Sequence, residues 1–178
     1  MNYGKILYCD TANGPGLRTT LFVSGCRRHC KGCFNPETWD FNYGHPFTLE
    51  TRTEILESLY NPNVDGLSIL GGEPLDDKNL QDVSDLVNSV RRLFPEKTIW
   101  IYTGYTWDEL ILRMHLLENP KAFSLSMILS NIDVLVDGPF WEEGKDISLK
   151  FRGSRNQGII DVPRSLICDK VVLMEEYM

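Results

Sequence analysis

Leu67-Ser68-Ile69-Leu70-Gly71-Gly72-Glu73-Pro74, the helical pattern from Lys78 to Phe94 that follows, and Ile99-Trp100-Ile101-Tyr102 together decide the fold. Leu67 to Leu70 is a short apolar strand that runs into a double glycine. From Lys78 to Phe94 the apolar residues are Leu80, Val83, Leu86, Val87, Val90, Leu93 and Phe94, the spacing of one helix face, and Pro95 stops the pattern. Ile99 to Tyr102 reads as the next strand. Strand, amphipathic helix and strand in this order predict a parallel crossover unit.

The same alternation continues outward. Thr19 to Val23 is a short β-rich run, and Asp133 to Val136 is another buried strand. Thr51 and Glu54 have the spacing of a capping box, with Ile55, Leu56 and Leu59 behind them and Pro62 beyond. Thr106 and Glu109 repeat the spacing and open a helix that runs to about Glu118. Phe123 to Ser130 is compatible with either helix or strand, and Lys170 to Met174 with a last strand or a tail. The pattern predicts a parallel α/β sheet with outer helices, in which ligands gather at the C-terminal ends of the strands. Four segments fall on that edge: Ser24 to Cys33, Gly71-Gly72-Glu73, Thr103-Gly104-Tyr105 and Asp137-Gly138.

The first of these holds Cys26, Cys30 and Cys33, three thiols within eight residues. Three thiolates on one loop suit one metal centre. An iron–sulfur cube held by three cysteines keeps one iron without a protein ligand, and an open position is what a reactive metal site needs. Zinc is the other reading of the spacing, with His29, His45, Cys9 or Cys168 as a fourth ligand, although no second CxxC or HxxxH pair is present. Cys9 and Cys168 stand apart and are expected to be buried free thiols. His29 is expected to be a solvated loop residue. Arg27, Arg28, His29 and Lys31 form a basic patch, either a solvated face or a complement to an anionic cluster or an anionic donor protein.

Cys26-Arg27-Arg28-His29-Cys30-Lys31-Gly32-Cys33 resembles the CxxxCxxC signature of radical S-adenosylmethionine (SAM) enzymes. Asn13-Gly14-Pro15-Gly16-Leu17-Arg18 before it and Phe34-Asn35-Pro36-Glu37-Thr38-Trp39 after it resemble the glycyl-radical-activating branch of that family. Gly71-Gly72-Glu73-Pro74-Leu75, Thr103-Gly104-Tyr105, Val134-Leu135-Val136-Asp137-Gly138 and Phe151-Arg152-Gly153-Ser154 continue the likeness, which runs from about Asp10 to about Asp161. The resemblance implies an incomplete, open (βα) barrel of the radical SAM type, since a closed eight-unit barrel takes roughly 250 residues. It implies a [4Fe–4S] cluster on Cys26, Cys30 and Cys33 and SAM as the second cofactor. It places Gly32, Cys33 and Phe34 beside SAM. Gly71, Gly72 and Glu73 would receive the SAM amino group. Thr103 and Asp137 would complete the binding edge. Relatives carry a lysine two residues after the matching aspartate; here that residue is Pro139, and Arg152 is the substitute for a SAM carboxylate contact. The implied activity is reductive cleavage of SAM to form a glycyl radical on the glycyl-radical subunit of the anaerobic ribonucleoside-triphosphate reductase. Flavodoxin or ferredoxin is the implied electron donor. No protein side chain is assigned as a general base.

Composition bounds the alternatives. The chain has 178 residues and five cysteines, is read as one domain over residues 1–178, and has the cysteine usage of a reducing compartment. A formal net charge of −7 makes it a poor general partner for nucleic acid. No run approaches the ~18 apolar residues of a membrane span, and the N-terminus carries no apolar signal region, so a cytoplasmic location is expected. The remaining alternative in another functional class is a zinc or iron–sulfur regulatory module without turnover.

Overall fold

The computed structural model describes residues 1–177; Met178 lies outside the described residues. The chain forms a seven-stranded sheet flanked by helices. In chain order the elements are β1 (Asn2–Asp10), β2 (Arg18–Val23), β3 (His45–Pro46), α1 (Leu49–Ser58), β4 (Gly66–Gly71), α2 (Leu80–Leu93), β5 (Thr98–Tyr102), α3 (Trp107–Leu116), α4 (Lys121–Asn131), β6 (Val134–Asp137), β7 (Gly158–Asp161) and α5 (Val162–Cys168). The strand order is β3-β1-β2-β4-β5-β6-β7, and the sheet is open. Strands β2, β4, β5 and β6 pair in parallel. Strand β1 runs antiparallel to β2 and β3, and β7 antiparallel to β6.

The expectation of an open α/β sheet with parallel strands therefore holds for its centre and is corrected at both edges. Four parallel strands carry the crossover helices. Their flanks are closed by antiparallel strands that need no helix between them. No helix among the described residues is long and apolar enough to cross a membrane.

Side-chain alternation along the parallel strands creates two faces. Leu21, Val23, Leu67, Ile69, Ile99, Ile101, Leu135 and Ile160 point to the helices. There they pack with Ile55, Val83, Leu86, Val87, Val90, Leu110, Leu125 and Ile128 in the main core. Trp100, Val134, Val136 and Ile159 belong to the other face, where Phe151, Met174 and Tyr177 cover part of it. Arg18 also lies on that second face and is fully buried. Its Nε donates to Ser68 Oγ. Its Nη1 donates to Pro15 O and Thr98 Oγ1, and its Nη2 to Leu67 O and Thr98 O. The guanidinium rests 5.7 Å from the centre of the Trp100 ring. It joins the glycine loop before β2 to the N-terminal ends of β4 and β5. Burial pulls its pKa down to about 10, so it is charged at neutral pH.

Local expectations were met where the signals were strong. The box of Thr106 and Glu109 caps α3, with Glu109 N donating to Thr106 Oγ1 and Thr106 N to Glu109 Oε2. That helix ends at Leu116, short of Glu118. The cap of α1 is corrected from Thr51 to Thr48. Thr48 is extended, its hydroxyl accepts from Thr51 N, and the Thr51 hydroxyl accepts from Thr48 N. Phe123 to Ser130 belongs to helix α4. Lys170 to Met174 is not a strand; it is tied to β7 by Met174 N donating to Ile159 O at 2.8 Å.

Candidate functional site

The C-terminal ends of β2, β4, β5 and β6 surround one cavity of about 480 Å³. Volumes of this size hold small ligands and cofactors. Cys26, Cys30 and Cys33 line it, with Phe34, Gly71, Gly72, Glu73, Thr103, Gly104, Gly138 and Arg152. The cysteine loop and the three turns expected on that edge thus meet at one place. Gly32 and Asp137 do not line the cavity. Gly32 is exposed on the outside of the loop between Cys30 and Cys33. Asp137 instead holds the scaffold: its Oδ2 accepts from Trp107 N at 2.8 Å and its Oδ1 from Gly158 N at 3.1 Å.

The cysteine loop is fastened by backbone hydrogen bonds. Gly25 N donates to Thr38 O, Cys26 N to Trp39 O, and Cys33 N to Cys30 O. Asn35 N lies 3.4 Å from Cys33 Sγ. Burial pushes the Cys26 thiol up, against the backbone N–H groups of Arg28 and His29, which favour the thiolate. All three cysteines are free and half-buried. Thiolates spread along one loop fit a multi-iron cluster, in which each sulfur meets its own iron. His29 is exposed and stacks on Trp39, with ring centres 4.6 Å apart, as a loop residue rather than a ligand. Cys9 and Cys168 are exposed, which corrects their expected burial. Cys9 sits on the little-covered strand β1, and Cys168 ends the short helix α5.

Gly71 and Gly72 serve the chain's own packing. A Cβ on Gly71, which has φ +104°, would lie 2.8 Å from Val23 O. One on Gly72 would lie 2.7 Å from Gly25 O and 2.9 Å from Thr38 O. Gly72 N donates to Val23 O and Glu73 N to Gly25 O, both at 2.8 Å. The double glycine therefore lets the turn after β4 press directly on the stem of the cysteine loop.

Glu73 is 2 % exposed. Its Oε1 accepts from Leu75 N at 3.0 Å and from the Thr103 hydroxyl at 2.7 Å, and its Oε2 accepts from Gly104 N at 2.8 Å. Burial pushes its pKa up, and these three donors work against that rise. The Thr103 hydroxyl also accepts from Tyr105 N at 3.1 Å, so it is committed within the protein. Glu73 and Thr103 hold two turns together, and only Oε2 keeps a spare acceptor position.

Two guanidinium groups complete the wall. Arg152 Nη1 donates to Gln157 O at 2.7 Å, while its Nε is buried without a partner. Arg28 likewise has a buried, unpartnered Nε. The loop's cations are not simply a solvated face. Arg27 pairs with Asp76 at 2.9 Å, Arg28 with Glu109 at 2.7 Å and Lys31 with Glu142 at 2.9 Å, each carboxylate lying on a different segment. Phe34 is 59 % exposed and packs on Phe140 at 5.0 Å, forming an aromatic rim. The sequence reading missed Arg28, Phe140 and Gln157 as wall residues; only the basic run around Arg28 hinted at one of them.

The fold and the three-cysteine loop define an iron–sulfur protein, and the family model described as a 4Fe-4S single cluster domain matches residues 12–160. An anaerobic ribonucleoside-triphosphate reductase-activating protein of Vibrio cholerae is 44 % identical over 161 residues, covering 89 % of this chain and 97 % of that protein. Proteins of the same name are 42 % identical in Escherichia coli K12, covering 88 % and 96 %, and 39 % identical in Enterobacteria phage T4, covering 88 % and 92 %. The chain belongs to this family, the anaerobic ribonucleoside-triphosphate reductase-activating proteins with a 4Fe-4S domain.

Proposed function

We propose that the chain is a radical SAM activase for the glycyl-radical subunit of the anaerobic ribonucleoside-triphosphate reductase. Cys26, Cys30 and Cys33 hold a [4Fe–4S] cluster and leave one iron to SAM. When bound, the cluster would supply one-electron reductive cleavage of SAM, with the hydrogen atom removed from a backbone glycine of the reductase leaving in 5′-deoxyadenosine. The electron comes from a small carrier of the flavodoxin or ferredoxin kind. The observation that carries this reading is the meeting of the cysteine loop with the turns after β4, β5 and β6 around a single cavity.

The chain's own residues bind and orient the cofactors. Backbone N–H groups of Arg28 and His29 favour the Cys26 thiolate against its burial, and Asn35 N lies 3.4 Å from Cys33 Sγ. Glu73 Oε2 offers its remaining acceptor position to the SAM ammonium, next to Gly72. Arg152 Nε offers a donor to the SAM carboxylate in place of the lysine that Pro139 displaces. Phe34 and Phe140 supply a surface for the adenine. Phe22, Leu70 and Phe151 add apolar surface to the cavity wall.

The test is anaerobic mixing of the cluster-loaded chain with the reductase, SAM and a one-electron reductant. A glycyl-radical signal by electron paramagnetic resonance, with one 5′-deoxyadenosine formed per radical, is the expected result. A chain that loads the cluster and binds SAM yet leaves the reductase without a radical refutes the assignment.

A further inference from the structure

Arg28 lies between the first two cysteines and is the one cation of that loop whose side chain lines the cavity. Its Nη2 donates to Glu109 Oε2 at 2.7 Å, and its guanidinium carbon sits 4.3 Å from the centre of the Tyr105 ring. The same ring carries the Arg113 guanidinium at 4.1 Å. A Cβ on Gly104 would lie 2.4 Å from Arg28 Cδ, 2.9 Å from Nε and 3.3 Å from Glu73 Oε2. Arg28 and the Glu73 carboxylate therefore press on the same glycine, and the absence of a side chain there gives Arg28 its path to the wall. The Arg28 side chain is 23 % exposed against 48 % for Glu109. The pair thus presents its cation to the cavity and its anion to solvent, where water screens the anion more strongly. The buried Nε has no protein acceptor.

We propose that Arg28 is a positioning residue that raises the reduction potential of the cluster on its own loop. The inference rests on the cluster assignment above. A fixed positive charge in a partly dry wall favours the state that has gained an electron. Tyr105 and Glu109 clamp the guanidinium, so its charge acts from one place. Reduction adds one electron from the donor to the cluster, and Arg28 neither gains nor loses a proton. The residue acts through the cluster and is not itself catalytic.

The test is a redox titration of the reconstituted holoprotein without SAM, followed by electron paramagnetic resonance of the reduced cluster. Arg28→Gln should lower the midpoint so that, at a fixed potential, the ratio of reduced to oxidised cluster falls about tenfold, which is about 59 mV for a one-electron couple. Arg28→Lys should recover most of the shift. Glu109→Gln keeps an acceptor for Arg28 and for the helix cap but removes a negative charge, and should move the midpoint upward by a smaller amount. Opposite signs for Arg28→Gln and Glu109→Gln mark an effect of charge; shifts of the same sign mark lost geometry and overturn the proposal, as does an unchanged midpoint in Arg28→Gln. If Arg28→Gln takes up no iron, Arg28→Lys near the native midpoint together with an upward shift in Glu109→Gln supports the proposal, and any other pair of results overturns it. Failure of the native chain to load a cluster on its three cysteines would defeat the functional reading instead, and is seen before any titration begins.

Discussion

Replacing Glu73 tests whether the carboxylate organises the site or only meets a ligand. In Glu73→Ala, Leu75 N and Gly104 N lose their acceptor, while the Thr103 hydroxyl is free to rotate. An orphaned buried donor costs about 1–3 kcal/mol, so the two backbone groups together cost about 2–6 kcal/mol of unfolding free energy. Glu73→Gln is a finer probe. Its amide oxygen satisfies one of the two backbone donors. Its NH2 group then faces the other, and one orphan remains, at about 1–3 kcal/mol. Burial raises the Glu73 pKa, so the folded chain binds the proton more tightly than the unfolded chain does. The contribution of this group to stability is therefore fully present below the ordinary carboxylate range. It declines as pH rises through the raised folded value. Glu73→Gln should remove that slope. Urea unfolding of the metal-free chain across pH 4–8 measures both quantities. Iron content should stay unchanged in either variant, because Glu73 N still donates to Gly25 O, while SAM affinity falls. A Glu73→Ala chain within about 1 kcal/mol of the native one would refute the organising role assigned here.

Substitutions at four further residues probe other parts of the molecule. Arg18→Met should cost about 1–3 kcal/mol or more in urea unfolding, since it strands neutral acceptors on three segments; Arg18→Lys should lose less, and an Arg18→Met protein of native stability would contradict the link drawn between the glycine loop, β4 and β5. Cys30→Ala should abolish cluster uptake and SAM cleavage while Cys168→Ala, on an exposed helix end, leaves both intact; equal losses would break the three-cysteine assignment. Arg152→Ala should weaken SAM binding by about 1.5–3 kcal/mol, the range for hydrogen bonds to charged groups, with partial rescue by lysine; normal binding and normal uncoupled cleavage would place Arg152 outside the SAM site.

The parts of the fold that were legible share a cause. Strands β4 and β5 and helix α2 bury one regular face, so Leu80, Val83, Leu86, Val87 and Val90 recur at helical spacing and are all buried. Strand β1 was missed because no such rule applies to it. It is largely uncovered, and irregularities between Tyr3 and Lys5 and between Leu7 and Asp10 interrupt its alternation. Strand β7 was missed because it is four residues long and is defined by its antiparallel partner β6. The α1 cap was misplaced because Thr51 answers Thr48 with a hydroxyl, a pair that the usual Ser/Thr to Glu/Gln spacing does not describe.

The site divides along a different line. The cysteines, the double glycine and Thr103-Gly104 are local signals: each marks a turn at the end of a strand, and alternating strands and helices suffice to bring such turns to one edge. What those turns do there depends on partners far away in the chain. Asp137 reads as a ligand residue in the sequence, and in the structure its two oxygens accept from Trp107 N and Gly158 N, 30 and 21 positions distant. The basic run around the cysteines looked uniform, yet Arg27, Arg28 and Lys31 each leave it for a carboxylate on a separate segment, and Arg28 meets Glu109 across 81 positions. Pairs with at least one solvent-exposed member contribute little to stability. They fix where each charge stands, and the proposed effect on the cluster potential rests on that placement. A motif lists the groups able to bind a cluster; the long-range pairing decides which cation of the loop lines the cavity, and here that cation is Arg28.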